Sequence, residues 1–360
     1  MSESPFKVGI VGTGVGIRTH FPGFAAVPGV EIVGVVGSNP QRAAELLSNA
    51  GLPSQLACSL DELIASGPDL VAVTTPPAER GTLVGALSRS SCALLVEKPV
   101  ARDADEASRI YQSILGSSRP VFHGVQLRGL PAFQYVRGIV QDGLIGRAFS
   151  VRLRERTSAF RADSVADWVG ARSKGGGERL AMGPHLLDLG VFVSGHKFDD
   201  VPRPFGSGPH FGTAVTPRGT WISALADRKD AADEAFGCGL FVGGCWSELF
   251  CTGAGAGPRL LEFDIEGTEG LIQFSFVDGR GRLDVFTDAE EWHYHLSEGG
   301  NLVQASGSEP PKLNPSLFRV AFPSYANEIV ATLRGVSVGP NLATLRDGID
   351  TLAILDALGR

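Results

Sequence analysis

Two short runs carry residue types that could move a proton. In Glu97-Lys98-Pro99 a lysine stands between an acid and a proline, just after an apolar stretch. Held at such a place, an ammonium can stay charged and orient an oxygen, or lose its proton under desolvation and act in acid–base chemistry. In Gly183-Pro184-His185-Leu186-Leu187-Asp188 a histidine and an aspartate stand three apart, and on a helix they would share a face. An imidazole titrates near neutral pH, so it could relay a proton to or from a hydroxyl. The plainer readings are a surface lysine after a strand and a hydrogen-bonded core histidine.

A third run, Lys7 to Gly16, suits an anion rather than a proton. Its apolar stretch 8–11 ends in Gly12-Thr13-Gly14-Val15-Gly16. Gly12 can turn the chain sharply, and Gly14 has no Cβ to keep a pyrophosphate from the backbone. A following helix N-terminus would present free N–H groups and a partial positive charge. A full G-x-G-x-x-G pattern would have a small residue at 17, where this chain has Ile17.

These groups can act together only if the elements beneath them converge. Short apolar runs at 8–11, 30–36, 70–74, 93–96 and 121–125 read as buried strands. Helical patterns at about 17–26, 41–49, 79–87 and 103–115 separate them, and Asn39 and Pro40 supply an N-cap and a first position for the second helix. Strands alternating with helices predict an α/β, doubly wound parallel sheet, whose ligands sit beyond the C-terminal strand ends. Those ends carry Gly12 and Gly14, then Ser38, then Thr75-Pro76-Pro77, then Glu97-Lys98-Pro99. A carboxylate at the second strand end would select NAD through its ribose hydroxyls. Ser38 stands there instead; Ser38 and Asn39 can donate to a 2′-phosphate, and Arg42 lies one turn on. This favours NADP, with NAD as the second choice.

Near residue 123 the rhythm changes. A helix is predicted at 131–141. The stretch 148–156 alternates, with Arg152, Arg154 and Arg156 on one face, as a half-exposed antiparallel strand does. A helix at about 180–194 follows Gly175-Gly176-Gly177. Strand-like runs follow at 239–242, 260–265, 271–276 and 283–286, loops at 202–209 and 297–315, and closing helices at 325–333 and 342–358. The division expected is a dinucleotide-binding domain over 1–122 and an α+β domain with a mostly antiparallel open sheet over 123–360.

The chain has 360 residues, 43% hydrophobic and 20% charged, with a formal net charge of −7. That charge argues against nucleic acid and anionic membrane as partners. No apolar run approaches a membrane span, and the first residues lack the basic and apolar regions of a signal peptide. The five cysteines, Cys58, Cys92, Cys238, Cys245 and Cys251, form no C-x-x-C and have spacings unsuited to zinc. Reduced thiols, a cytoplasmic location and no metal are expected.

Taken in order, the chain resembles the Gfo/Idh/MocA family of NAD(P)-dependent oxidoreductases over nearly its whole length. The resemblance rests on Gly12-x-Gly14 with His20 downstream, Thr75-Pro76-Pro77, Glu97-Lys98-Pro99, Arg128-x-x-Pro131 and Gly143-x-Ile145-Gly146. It continues through Trp168, Gly175-Gly176-Gly177, Gly183-x-His185-x-x-Asp188, Glu266-Gly267-Thr268-Glu269-Gly270 and Asp347-Gly348. It implies a Rossmann domain followed by a domain whose open sheet often forms the oligomer interface, hence a homodimer or homotetramer. Lys98 and His185 would flank the reacting carbon, and hydride would pass between the nicotinamide and a carbon of a sugar, cyclitol or similar small molecule. Cofactor contacts would fall at Gly12, Thr13, Gly14, Val15, Gly16, Ser38, Asn39, Arg42, Thr75, Pro76, Glu97 and Lys98, and substrate contacts at Gln126, Arg128 and Trp168. Two positions depart from the family pattern: Ala181 replaces the aspartate four residues before the histidine, and Arg80 replaces the histidine after the T-P-x loop. The alternatives are a glycoside hydrolase using NAD transiently and a cofactor-binding regulatory or assembly protein without turnover.

Overall fold

Runs of valine, leucine and isoleucine without polar alternation build the first sheet. In the computed structural model, which describes residues 4–116, 119–161, 168–196, 213–215, 232–242 and 244–358, they are β1 (Phe6–Val11), β2 (Val30–Val36), β3 (Ala57–Cys58), β4 (Leu70–Val73), β5 (Ala93–Glu97) and β6 (Val121–Gly124). Their order is β3-β2-β1-β4-β5-β6 and every pairing is parallel. Every residue of β4 and β5 is buried, which is why these strands read as unbroken apolar runs. The chain leaves β1 on one side to form β2 and on the other to reach β4, so the sheet reverses direction at β1.

The connecting helices are α1 (Phe21–Ala25), α2 (Pro40–Asn49), α3 (Leu60–Ala65), α4 (Pro77–Leu87) and α5 (Ala104–Ile114). Asn39 caps α2 through its side-chain oxygen, as expected, and Ser59 and Glu62 form a capping box on α3. The helix predicted at 17–26 is two pieces, a π-helical turn over Gly16–His20 and then α1.

The chain divides into two compact units, 1–129 with 322–349, and 130–321 with 350–360. The late segment completes the first core: Phe322, Tyr325, Ala326, Ile329 and Val330 join Val8, Ile10, Phe24, Leu70 and Leu95 in one buried cluster. Tyr325 Oη donates to His123 O at 2.6 Å, and His123 N donates to Ala343 O at 2.8 Å, so the segment is tied to β6 through backbone groups.

The second unit holds α6 (Pro131–Gln141), β7 (Ala148–Arg156), α7 (Glu178–Ala181), α8 (Gly183–Val193), β8 (Thr213–Val215), β9 (Ala235–Val242), β10 (Cys245–Thr252), β11 (Leu260–Gly267), β12 (Gly270–Val277), β13 (Arg280–Thr287), β14 (Glu291–Leu296) and β15 (Leu302–Gln304). Two helices, α9 (Leu317–Leu333) and α10 (Leu345–Leu358), each run through both units. The nine strands lie in the order β15-β14-β13-β12-β11-β7-β10-β9-β8. All neighbours are antiparallel except β7 and β10, which run parallel. The antiparallel reading of 148–156 therefore holds toward β11 and fails toward β10. Strands β3, β8, β10, β14 and β15 escaped the sequence reading; β3, β8 and β15 are two or three residues long, too short to show a period, whereas β14 does alternate, with Trp292, Tyr294 and Leu296 set against Glu291, His293 and His295. No helix among the described residues is long and apolar enough to cross a membrane.

Buried α8 covers one face of this sheet, where Gly190 lets it approach: a Cβ there would lie 3.1 Å from Leu153 Cδ1. On the other face Arg152, Arg154 and Arg156 do share a side. Arg152 pairs with Glu266 at 2.5 Å and Asp264 at 3.8 Å, and Arg154 with Glu262 at 3.7 Å. These half-exposed pairs contribute about 0–1 kcal/mol each. Beside them an open depression of about 530 Å³ is lined by Trp246, Phe250 and the same charged rows.

Candidate cofactor and proton-transfer residues

The turn after β1 is set by its neighbours. Gly12 N donates to Val36 O at 2.8 Å, and Thr74 Oγ1 donates to Val11 O at 3.0 Å and to Gly12 O at 3.2 Å. Gly12 has φ +119°, and a Cβ there would lie 2.4 Å from Thr74 Oγ1. Only glycine fits that conformation and that gap. Gly14 is the opposite case: it is exposed, and a Cβ would meet nothing within 4 Å. Bare backbone facing open space at the C-terminal end of β1 is what a dinucleotide pyrophosphate needs, so the residues present fit that group. Val15 and Gly16 then enter the π-helical turn, and Thr13 lies against Gly37 at the end of β2. Gly12→Ala should weaken NADPH binding by about 10-fold or more, the scale set by 1–3 kcal/mol of backbone strain. Fluorescence titration reads this, and wild-type affinity would reject the role of the turn.

At the end of β2, Ser38 and Asn39 are exposed. Asn39 Oδ1 is engaged as the α2 cap by Arg42 N at 2.7 Å, so its amide N–H₂ is the group left to donate outward. Arg42 forms an exposed 3.0 Å pair with Glu45.

The ends of β4 and β5 are joined by one side chain. Arg80, on α4, is 2% exposed. Its Nε and Nη2 donate to Thr75 O at 2.9 and 2.7 Å, and its Nη1 donates to Glu97 O at 2.6 Å and also to Pro99 O. Burial brings this guanidinium down to about 10, with Glu97, Glu106 and Glu79 pulling the other way, so it is a cation at neutral pH. Thr75 Oγ1 is buried without a hydrogen-bond partner among the described residues, and Pro76 is half-buried.

Glu97 is also buried. Burial raises its carboxyl, but the hydrogen bond from His20 and the charges of His20, Lys98 and Arg80 outweigh this and hold it below the usual carboxylate range. An ionised carboxylate only accepts, so His20 Nε2–H donates to Oε1 at 2.8 Å and Lys98 N donates to Oε2 at 3.0 Å. The His20 ring lies 4.3 Å from that of Phe322, and its Nδ1 has no partner among the described residues. The Glu97 carboxylate thus braces the loop that carries half-buried Lys98.

Beyond β6, Gln126 is buried with no partner for Oε1 among the described residues, and Arg128 lies 3.9 Å from Asp347. His123 is enclosed in the same unit; burial brings its imidazole down to about 4, so it is neutral across the physiological range.

In the second unit the glycine run is a tight backbone crossing. Gly177 has φ +100°, and a Cβ there would lie 2.3 Å from Asp233 Oδ1. Glu178 N and Arg179 N donate to Asp233 O at 2.9 Å and Oδ2 at 2.7 Å. The helix predicted at 180–194 breaks at Met182, with φ −115° and ψ −31°, because Pro184 starts a new helix where its missing N–H costs nothing. Ala181 is the last residue of α7, and His185 lies in the first turn of α8. His185 is 2% exposed, its ring 4.5 Å from that of Phe318, and Asp188 is buried one turn further along. Trp168 is half-buried in the turn that Gly176 crosses.

The first unit therefore gathers Gly12, Thr13, Gly14, Val15, Gly16, Ser38, Asn39, Arg42, Thr75, Pro76, Glu97 and Lys98 at the ends of neighbouring parallel strands. Trp168 and His185 belong to the second unit. Sequence reasoning missed the tie made by Arg80, the His20–Glu97 pair and the enclosed His123. No local pattern links residue 20 to 97 or 80 to 99.

Residues 6–124 match the oxidoreductase family model GFO_IDH_MocA, NAD-binding Rossmann fold, and residues 133–273 match the GFO/IDH/MocA C-terminal domain. The chain is 26% identical over 356 residues to the D-apiose dehydrogenase of Paraburkholderia graminis, covering 98% of this chain and 86% of that protein. It is 24% identical over 306 residues to the levoglucosan dehydrogenase of Pseudarthrobacter phenanthrenivorans, covering 78% and 75%. Several other curated relatives are spanned for less than two thirds of their length, 56% for the D-glucoside 3-dehydrogenase of Escherichia coli. A solved levoglucosan dehydrogenase in complex with NADH shares the fold, with a TM-score of 0.77 at 20% identity over 98% of this chain and 96% of that one.

Proposed function

The chain belongs to the Gfo/Idh/MocA oxidoreductases, and from that premise we propose that it transfers hydride between NADP(H) and a carbinol or carbonyl carbon of a sugar, cyclitol or similar polar molecule. The observation that carries this is the Gly12–Gly14 turn: a strand end closed to any side chain at Gly12 and open to a ligand at Gly14, on the sheet edge that also presents Lys98. The similarity to sugar dehydrogenases supports the substrate class.

The bound nicotinamide would supply the hydride chemistry; the chain supplies binding, orientation and a proton path. The Gly12–Gly16 turn and Thr75 hold the dinucleotide. Lys98 stays cationic and polarises the substrate oxygen, while His185 takes or returns the hydroxyl proton. Gln126, Arg128 and Trp168 hold other polar groups of the substrate. The first unit serves the cofactor and, through Lys98, Gln126 and Arg128, part of the substrate, and the second serves the substrate through Trp168 and His185; a second copy of the chain packs on the open sheet as a homodimer or homotetramer, in the cytoplasm. A dehydrogenase panel of aldoses and cyclitols, read by nicotinamide absorbance with NADP and NAD compared, tests the proposal. Binding without turnover of added cofactor on every member would favour the regulatory reading to which Ala181 gives some support.

Cofactor choice follows from Ser38. No carboxylate repels a 2′-phosphate there, and Arg42 reaches it by leaving its exposed pair with Glu45. Ser38→Asp should weaken NADPH binding by about 10-fold or more and shift preference toward NADH. Titrating both cofactors with both proteins checks this, and a wild-type preference for NADH would reverse the assignment.

A further inference from the structure

We propose that Arg80 is a positioning residue for Lys98, holding the backbone on both sides of it and tying that loop to the end of β4; the inference rests on Lys98 acting as proposed above. The carbonyls it engages beyond its own loop belong to Glu97 and Pro99, the residues immediately before and after Lys98. The same guanidinium engages Thr75 O with two further N–H groups. One planar group therefore fixes two strand-end loops against each other. Glu97 completes the brace from the acceptor side by taking Lys98 N–H.

Only arginine can do this. Its donors lie in one rigid plane and diverge, so they reach acceptors on two sides at once, whereas a lysine presents three donors from a single point. A buried cation with no exposed face has no other outlet for its N–H groups, so it holds those carbonyls continuously. The consequence is kinetic: displacement of a catalytic group by about 1 Å costs on the order of 10²-fold in rate, so slack in this loop appears in turnover.

The test is a double-mutant cycle in kcat on a substrate that the wild-type protein turns over, using Arg80→Lys, Arg80→Gln and Lys98→Ala. Arg80→Lys keeps the buried charge where Arg80→Gln fails to fold. Arg80→Lys should lower kcat by about 10- to 100-fold in the wild-type background and by no more than about 2-fold once Lys98 is alanine, with Kd for NADPH changed little. Amide exchange at residues 98 and 100 should quicken while that of the second unit stays unchanged. An equal loss in both backgrounds, no loss at all, or unchanged exchange at 98 and 100 would overturn the role of Arg80 alone. Full turnover by Lys98→Ala would instead overturn the reading of Lys98, and the positioning role with it.

Discussion

Lys98→Ala and His185→Ala should each lower kcat by about 10²-fold or more, the scale of a lost acid–base or polarising group, with Kd for NADPH little changed. Passage of hydride to or from a C–O carbon requires a matching proton movement at the oxygen. An imidazole is suited to carry that proton, and an ammonium to hold the oxygen while its charge develops. The surroundings support this division of labour. Lys98 sits at the rim of the parallel sheet with its own N–H held by an ionised Glu97, and that carboxylate favours a charged lysine beside it. His185 lies in the first turn of a fully buried helix against Phe318, so its ring has a defined place. Steady-state kinetics of the single variants, with cofactor titrations as control, decide the matter. Turnover at the wild-type rate by both variants on the true substrate would reject the mechanism. Ala181→Asp is the sharper probe: placing a carboxylate four residues before His185, at the end of α7, should favour oxidation of sugar alcohols, and no change would mean that this departure does not direct the chemistry.

Phe322→Ala should destabilise the protein by about 3–5 kcal/mol, the usual cost of truncating a fully enclosed phenylalanine. Phe322 is 0% exposed and meets Phe24 edge-on at 5.4 Å and the His20 ring at 4.3 Å. Gly23 makes room for it, since a Cβ there would lie 2.2 Å from Phe322 Cδ1. Its loss opens a cavity in the first core and removes the ring against which His20 lies, loosening the donor to Glu97 and the loop behind Lys98. Urea unfolding followed by fluorescence and circular dichroism gives the change. Val338→Ser, at a position 92% exposed, serves as a control expected within about 0.5 kcal/mol of wild type. A Phe322→Ala variant as stable as that control would show that the late segment is not part of the first core.

Much of the first unit is legible in the sequence. Strands buried on both faces must be short and apolar, and the turns between them need glycine, proline or a capping side chain; these are properties of neighbouring residues, so Gly12, Asn39, Thr75 and Lys98 could be assigned to strand ends from the sequence. The second unit was less legible. Strand β7 alternates because one of its faces packs under α8 while the other carries arginines beside acids, and it was recognised; β14 alternates too and was missed, while β8 and β15, at three residues each, are too short to show a period.

The sequence by itself determined the α/β class, the parallel arrangement of the first strands, the glycine turn and the set of residues able to handle an anion and a proton. All of these follow from periodicity and residue chemistry within a few positions. The tertiary structure alone decided that residues 322–349 return to finish the first core, that β7 runs parallel to β10, that His20 donates to Glu97, and that Arg80 spans from Thr75 to Pro99. Each of these joins groups far apart along the chain or in different elements, where no local period relates them. What selects them is the cost of leaving a buried polar group or a core ring without its complement.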